Sequence, residues 1–127
     1  MADATASDTP LSSAGAFCVL RKRSDFLRAA KAKRAPAPAF LLQARKRAPQ
    51  EEVAGIRVGY TCSKKVGNAV ARNRAKRRLR EIARAVIGSQ GRDGWDYVLI
   101  GRAELTASRP LEDMKADLRA ALKKVHG

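Results

Sequence analysis

Residues 69–87 have the pattern of an amphipathic helix, with apolar residues on one face and many arginines on the other. This pattern limits the folds that the chain can adopt. The apolar side chains share one side of a helix drawn at about 100° per residue: Ala75, Leu79, Ile82, Ala83 and Val86. The opposite side carries Asn73, Arg77, Arg80 and Arg84. Because only one face can be buried, we expect this helix to lie on a sheet, with Asn68 as its N-cap and Gly88 at its end.

The overall charge points to a polyanionic partner. Lys and Arg number 27 against 12 Asp and Glu, which gives a formal charge of +15 and a pI near 10.9. A compact domain with this excess repels itself, so the charge favours a nucleic-acid partner first and an acidic membrane surface second. No apolar run approaches the roughly 20 residues of a spanning helix, and residues 1–9 lack the features of a signal peptide. We therefore expect a cytoplasmic protein that does not bind membranes.

The cations are concentrated where a helix by itself would not favour them. Between Arg72 and Arg80 there are six cations and no acid, including like-charged pairs at i,i+4 spacing that destabilise a free helix. A bound anion would relieve this repulsion, and arginine suits phosphate groups. The preceding Ser63–Asn68 turn, with Lys64, Lys65 and Gly67, is either a phosphate cradle or a simple connection. Its spacing is not that of a nucleotide-hydrolysing P-loop.

The remaining patterns predict an α+β domain. We expect a helix from Asp25 to about Lys33 capped by Ser24, and strands at 39–44, 55–63 and 95–101. A last helix should open at Pro110. Arg45, Lys46 and Arg47 fall in a predicted loop and could be either solvated or RNA-facing. Residues 1–15 are predicted to form a disordered tail, and residues 16–127 a single RNA-binding domain.

Residues able to carry out catalysis or bind a metal are scarce. The single histidine is His126, and Cys18 and Cys62 show no metal-binding spacing, so we interpret both as small apolar side chains. The acids are scattered without a defensible acid–base or metal-ligand arrangement. We therefore expect no catalytic residue and no metal ligand. Composition alone would favour a ribosomal-type RNA binder, with an independent nuclease as a weaker alternative.

A family resemblance decides between these classes. Residues 56–77 read IRVGYTCSKKVGNAVARNRAKR. This run resembles the signature of the bacterial ribonuclease P protein subunit, and the resemblance extends over residues 17–125. It includes Arg23–Phe26 and the strand at 96–100.

The resemblance implies both a fold and a function. The fold would be a two-layer α/β sandwich, with a mostly antiparallel sheet and a left-handed βαβ crossover. The chain would be the non-catalytic protein of a ribonucleoprotein endonuclease that removes the 5′ leader of precursor tRNA and leaves a 5′-phosphate. The RNA subunit would carry the chemistry, with Mg²⁺ bound mainly by that RNA and the substrate. The implied partners are ribonuclease P RNA and precursor tRNA, with the protein monomeric in the holoenzyme.

The resemblance also implies two RNA-contacting regions. Contacts with RNA are expected from Lys64, Lys65, Asn68, Arg72, Asn73, Arg74, Lys76, Arg77 and Arg80. The leader would lie in a cleft between the first helix and the sheet, with Phe26 at an aromatic stacking position. A second aromatic expected one helical turn later is here Ala30. Tyr60 could compensate for it or could serve the core.

Overall fold

A computed structural model describes residues 17–51 and 54–127, so the predicted tail at 1–15 lies outside the described residues. Over the described ranges the chain forms five strands and four helices. In order these are β1 (Cys18–Val19), α1 (Arg23–Ala30), β2 (Lys33–Pro36), β3 (Phe40–Lys46), β4 (Arg57–Cys62), α2 (Ala69–Gln90), β5 (Trp95–Gly101), α3 (Leu105–Ser108) and α4 (Leu111–His126). A 3-10 turn, Lys64–Val66, joins β4 to α2.

The strands form one sheet in the order β1-β4-β5-β3-β2. The pairs β1/β4 and β4/β5 are parallel, whereas β5/β3 and β3/β2 are antiparallel. The α+β class is thus confirmed, with a sheet more evenly mixed than the mostly antiparallel one predicted. The parallel pairing arises because α2 connects β4 to its neighbour β5, which makes the expected βαβ unit. The left-handed sense of this crossover stays a prediction.

Helices α2 and α4 cover one face of the sheet and enclose the main core. The apolar positions predicted for the inner face of α2 are all buried: Ala75, Leu79, Ile82, Ala83 and Val86. Leu79, Ile82, Ala83 and Val86 pack in the same cluster as Val58, Tyr97 and Leu99 from the sheet. The inner face of α4 supplies Met114, Leu118, Leu122 and Val125 to that cluster. This packing turns the opposite, arginine-bearing face of α2 outward.

Helix α1 adds a partial layer on the other face of the sheet, beyond the two layers predicted. Strand β5 is apolar on both sides, because Tyr97 and Leu99 point into the main core whereas Val98 packs in a second cluster. That cluster joins Val98 to Leu20 and Ala29, with Phe26 and Ile100 packed against it. Since α1 is only eight residues long, it leaves much of this face open beside it.

Several predicted boundaries were wrong. Helix α1 begins at Arg23 after Lys22, without a side-chain cap, so Ser24 lies inside the helix. It ends at Ala30, and the following residues form the unpredicted strand β2, which tolerates Pro36 because that proline ends a strand at the sheet edge. Helix α2 continues through Gly88 to Gln90, since its packing on the core outweighs the low helix propensity of one glycine.

Candidate nucleic-acid interface

The entry into α2 is fixed by short-range hydrogen bonds. Asn68 is the N-cap as predicted, and its side-chain oxygen accepts the Ala71 N–H at 2.9 Å. Gly67 has φ 126°, which residues with a side chain rarely adopt, and its carbonyl accepts a hydrogen bond from Arg72 Nε at 3.0 Å. The turn and the first helical turns therefore form one rigid unit. Because the Asn68 oxygen serves the cap, its contact with RNA stays a prediction.

The residues predicted to contact RNA lie together on the 3-10 turn and the outer face of α2. All are exposed except Lys76, which is partly exposed: Lys64, Lys65, Asn68, Arg72, Asn73, Arg74, Lys76, Arg77 and Arg80. We call this set the α2 cationic surface. Within the described part of the chain, the side chains of Arg74, Lys76 and Arg77 form no hydrogen bond or ion pair. Their charges are therefore uncompensated and available to an anionic partner.

Arg78 is on α2 but does not belong to this surface. Its guanidinium donates to the backbone carbonyls of Thr106, at 2.8 Å, and of Arg109. A further contact reaches the sulfur of Met114 at 3.7 Å. Arg78 thus links α2 to the α3–α4 connection. This arginine therefore has a structural role and lies beside the outward-facing arginines of α2.

The two arginines of the predicted 45–54 loop point into the fold, whereas Lys46 between them is exposed. Arg45 and Arg47 surround the fully buried carboxylate of Asp96, at 3.6 and 2.6 Å. Arg57 adds a bidentate contact through Nε and a terminal nitrogen, at 2.8 and 2.7 Å. The hydrogen bond to Asp96 raises the pKa of Arg57. An aspartate inside the apolar strand Trp95–Gly101 was the sequence feature that could have indicated a buried cationic partner.

A cleft of about 470 Å³ lies between α1 and the exposed part of the sheet. Its lining includes Phe26, Ala30, Gln43, Tyr60 and Ile100. The structure thus brings together the two aromatic residues predicted for the leader site. Arg21 and Arg23 also line the cleft, and the sequence interpretation had not singled them out. Ala30 lines it where an aromatic was expected, so Phe26 and Tyr60 are the aromatic residues that line the cleft.

Tyr60 joins the cleft to the α2 cationic surface. Its ring packs against the main core, and the guanidinium of Arg80 lies over the ring at 5.5 Å from the centroid. Burial raises the pKa of Tyr60 to about 12, against the opposing effect of Arg80 and Arg84. The hydroxyl therefore stays protonated at neutral pH. Tyr60 serves the core and lines the cleft, so the two interpretations of this residue are compatible.

The described residues contain neither a membrane-spanning helix nor a cluster of metal-ligating side chains. No described helix combines the length and apolar composition needed to cross a membrane. Within the same ranges, no group of three histidine, cysteine, aspartate or glutamate side chains is arranged to hold a metal ion.

The sequence is similar to known proteins over most of its length. The Ribonuclease P family model matches residues 16–126. The chain is 67% identical over 108 residues to the ribonuclease P protein component of Ruegeria pomeroyi, covering 85% of this chain and 86% of that protein. It is 49% identical over 108 residues to the corresponding protein of Paramagnetospirillum magneticum, covering 84% of this chain and 80% of the relative.

Solved structures show the same fold. The RNase P protein from Thermotoga maritima superposes with a TM-score of 0.68 at 30% identity, covering 85% of this chain and 97% of that one. The RNase P protein of Staphylococcus aureus gives a TM-score of 0.67 at 27% identity, covering 88% and 100%. Family match, sequence identity and fold therefore agree, and this chain belongs to the ribonuclease P protein family.

Proposed function

We propose that this chain is the protein subunit that binds ribonuclease P RNA and the 5′ leader of precursor tRNA, and thereby assists removal of the leader. The observation that carries the proposal is the position of Tyr60. Its ring lines the cleft and lies beneath Arg80 of the α2 cationic surface. One continuous surface therefore offers phosphate-binding cations at one end and a stacking cleft at the other.

The α2 cationic surface is the proposed contact with the RNA subunit. Its cations are held on a helix whose other face is locked into the core, so their spacing is fixed before RNA binds. Binding then neutralises phosphates and releases counterions, which makes affinity strongly dependent on salt. The planar guanidinium groups can also hold phosphate oxygens in pairs. This accounts for arginine, rather than lysine, dominating the outer face.

The cleft is the proposed site of the leader. A single strand could stack bases on Phe26 and Tyr60 while Arg21 and Arg23 contact its phosphates. Stacking uses the face that every base shares, so such a cleft accepts leaders of different sequence. Gln43, whose side chain can donate and accept hydrogen bonds, is the cleft residue best able to add some base preference.

The chemistry in this proposal belongs to the RNA subunit, which with the substrate would bind most of the Mg²⁺. Hydrolysis would produce mature tRNA with a 5′-phosphate. The protein contributes by fixing the leader and by neutralising phosphates near it, without a catalytic residue of its own. It would work in the cytoplasm, as a single copy in the holoenzyme.

Reconstitution tests the proposal. Precursor tRNA is incubated in Mg²⁺ with the purified chain freed of RNA, with ribonuclease P RNA alone, and with both together. We expect no cleavage by the protein alone. At low Mg²⁺ we expect the protein to stimulate strongly the cleavage carried out by the RNA. Cutting by the RNA-free protein would instead assign the activity to the chain itself. No stimulation of the RNA would overturn the proposed role.

A further inference from the structure

A second groove lies at the opposite side of the α2 cationic surface, between the start of α2 and α3. Its volume is about 380 Å³. Apolar side chains form much of the lining: Val66, Val70, Ala71, Ala75 and Ala107. Three charged residues also line it, namely Arg74, Arg102 and Glu104. We call it the α2–α3 groove.

The fold does not account for the apolar side of this groove. Val70 is 76% exposed although it stands next to a cationic turn, and Leu105 of α3 is 47% exposed. Single exposed apolar residues are ordinary on protein surfaces. Here, however, two valines and three alanines line one concave space, which is the form of a binding site rather than of scattered exposed residues.

The charges of the groove are also unused by the fold. Arg78 lies one turn beyond Arg74 on the same side of the helix, and its guanidinium donates to two backbone carbonyls. By contrast, the side chains of Arg74, Arg102 and Glu104 form no ion pair or hydrogen bond within the described ranges. Glu104 also adopts φ 65°, a left-handed conformation that is uncommon for glutamate.

The apolar lining, the two arginines and the glutamate together restrict what the groove can bind. An acidic peptide or a bare phosphate would satisfy the arginines but would be repelled by Glu104. An apolar peptide would leave all three charges unmatched. An unpaired nucleobase satisfies every feature, because its face packs on apolar side chains, its flanking phosphates reach arginines, and its N–H groups can be bound by a carboxylate. Guanine offers adjacent ring and amino N–H donors on its pairing edge.

We infer that the α2–α3 groove binds an unpaired guanine of the RNA subunit, with Glu104 accepting hydrogen bonds from the base and Arg74 and Arg102 contacting its phosphates. The inference rests on the proposed function, because the α2 cationic surface must first face that RNA. The groove would add base recognition to a surface that otherwise contacts phosphates, which carry no sequence information.

Glu104→Gln provides a test with opposite expected signs. If the groove interacts with RNA only through its net charge, removing an acid from this basic surface strengthens binding. If Glu104 holds a base, the substitution weakens the affinity for the RNA subunit, by roughly five-fold or more. Unchanged or stronger binding by Glu104→Gln would overturn the inference. Arg102→Ala should also weaken binding, whereas the control Arg92→Ala, in the loop after α2, should weaken it less.

Chemical probing identifies the occupant directly. Kethoxal modifies the N1 and N2 positions of unpaired guanines, so it is applied to the RNA subunit alone, with the protein, and with Glu104→Gln. We expect one guanine protected by the protein and exposed again with the variant. Protection of no guanine, or protection that survives the substitution, would overturn the inference. If the variant still stimulates cleavage by the RNA, the proposed function stands even where the groove inference fails.

Discussion

The ring of Phe26 occupies the space that a side chain at position 59 would need. A Cβ placed on Gly59 would lie 2.7 Å from ring atoms Cε1 and Cζ of Phe26. It would also lie 3.1 Å from Cβ of Leu20. The absence of a side chain at position 59 of β4 thus sets how closely α1 approaches the sheet, and with it the width of the cleft.

We therefore expect Gly59→Ala to displace the ring of Phe26 and to destabilise the fold by about 1–3 kcal/mol through overpacking. The displaced ring should lower the affinity of the holoenzyme for leader-bearing precursor and leave mature tRNA binding unchanged. Phe26→Ala should show the same selectivity. In the Phe26→Ala background, Gly59→Ala should cost little stability, since the obstructing ring is gone. Equal losses for precursor and mature tRNA would reduce Phe26 to a packing role.

Arg77→Ala should weaken binding of the RNA subunit and lower the dependence of log K on log salt by about one unit, if Arg77 neutralises one phosphate. Arg77 is the preferred position, because Arg72 also bonds to the Gly67 carbonyl and its loss would disturb the turn. The measurement is a binding titration across salt concentrations, with Arg92→Ala as the control for net charge. A slope of log K against log salt equal to that of the parent protein would show that Arg77 does not contact a phosphate of the RNA.

Asp96→Asn should destabilise the protein by about 3–5 kcal/mol, because it removes the buried negative charge that three partly or fully buried guanidinium groups share. Asp96 is 0% exposed and forms ion pairs with Arg45 of β3, Arg57 of β4 and Arg47, which directly follows β3. Urea unfolding followed by circular dichroism measures the effect. Asp113→Asn, on the exposed first turn of α4, is the matched control and should change stability little. Similar stability for both variants would contradict a structural role for Asp96.

His126 should titrate below its ordinary pKa. Its Nε2 lies 2.6 Å from the Tyr97 hydroxyl, and burial lowers the pKa of the imidazole, assisted by Arg92 and Lys33. The unfolded chain therefore binds a proton more readily, so stability from this group is present above pH 6.5 and declines as pH falls below it. The NMR titration of this single histidine should have a midpoint below 6.5. A midpoint at or above that value would be inconsistent with a neutral His126 in the folded protein.

Local patterns were sufficient for the elements that carry the α2 cationic surface. The 3.6-residue repeat separated the buried side of α2, including Leu79 and Ile82, from its exposed arginines, because helical geometry is set by neighbouring residues. The Asn68 cap and the extent of β5 from Trp95 to Gly101 also agreed with the structure. Such features need no information about distant parts of the chain.

Only the tertiary structure decided how these elements meet. It placed α1 on the face of the sheet opposite α2, joined Phe26 and Tyr60 in one cleft, and gathered arginines around Asp96. It also separated Arg78, which holds the fold together, from Arg74, which remains available. Each outcome depends on contacts between residues far apart in sequence. Periodicity determines which side of an element is apolar, whereas packing determines what that side touches.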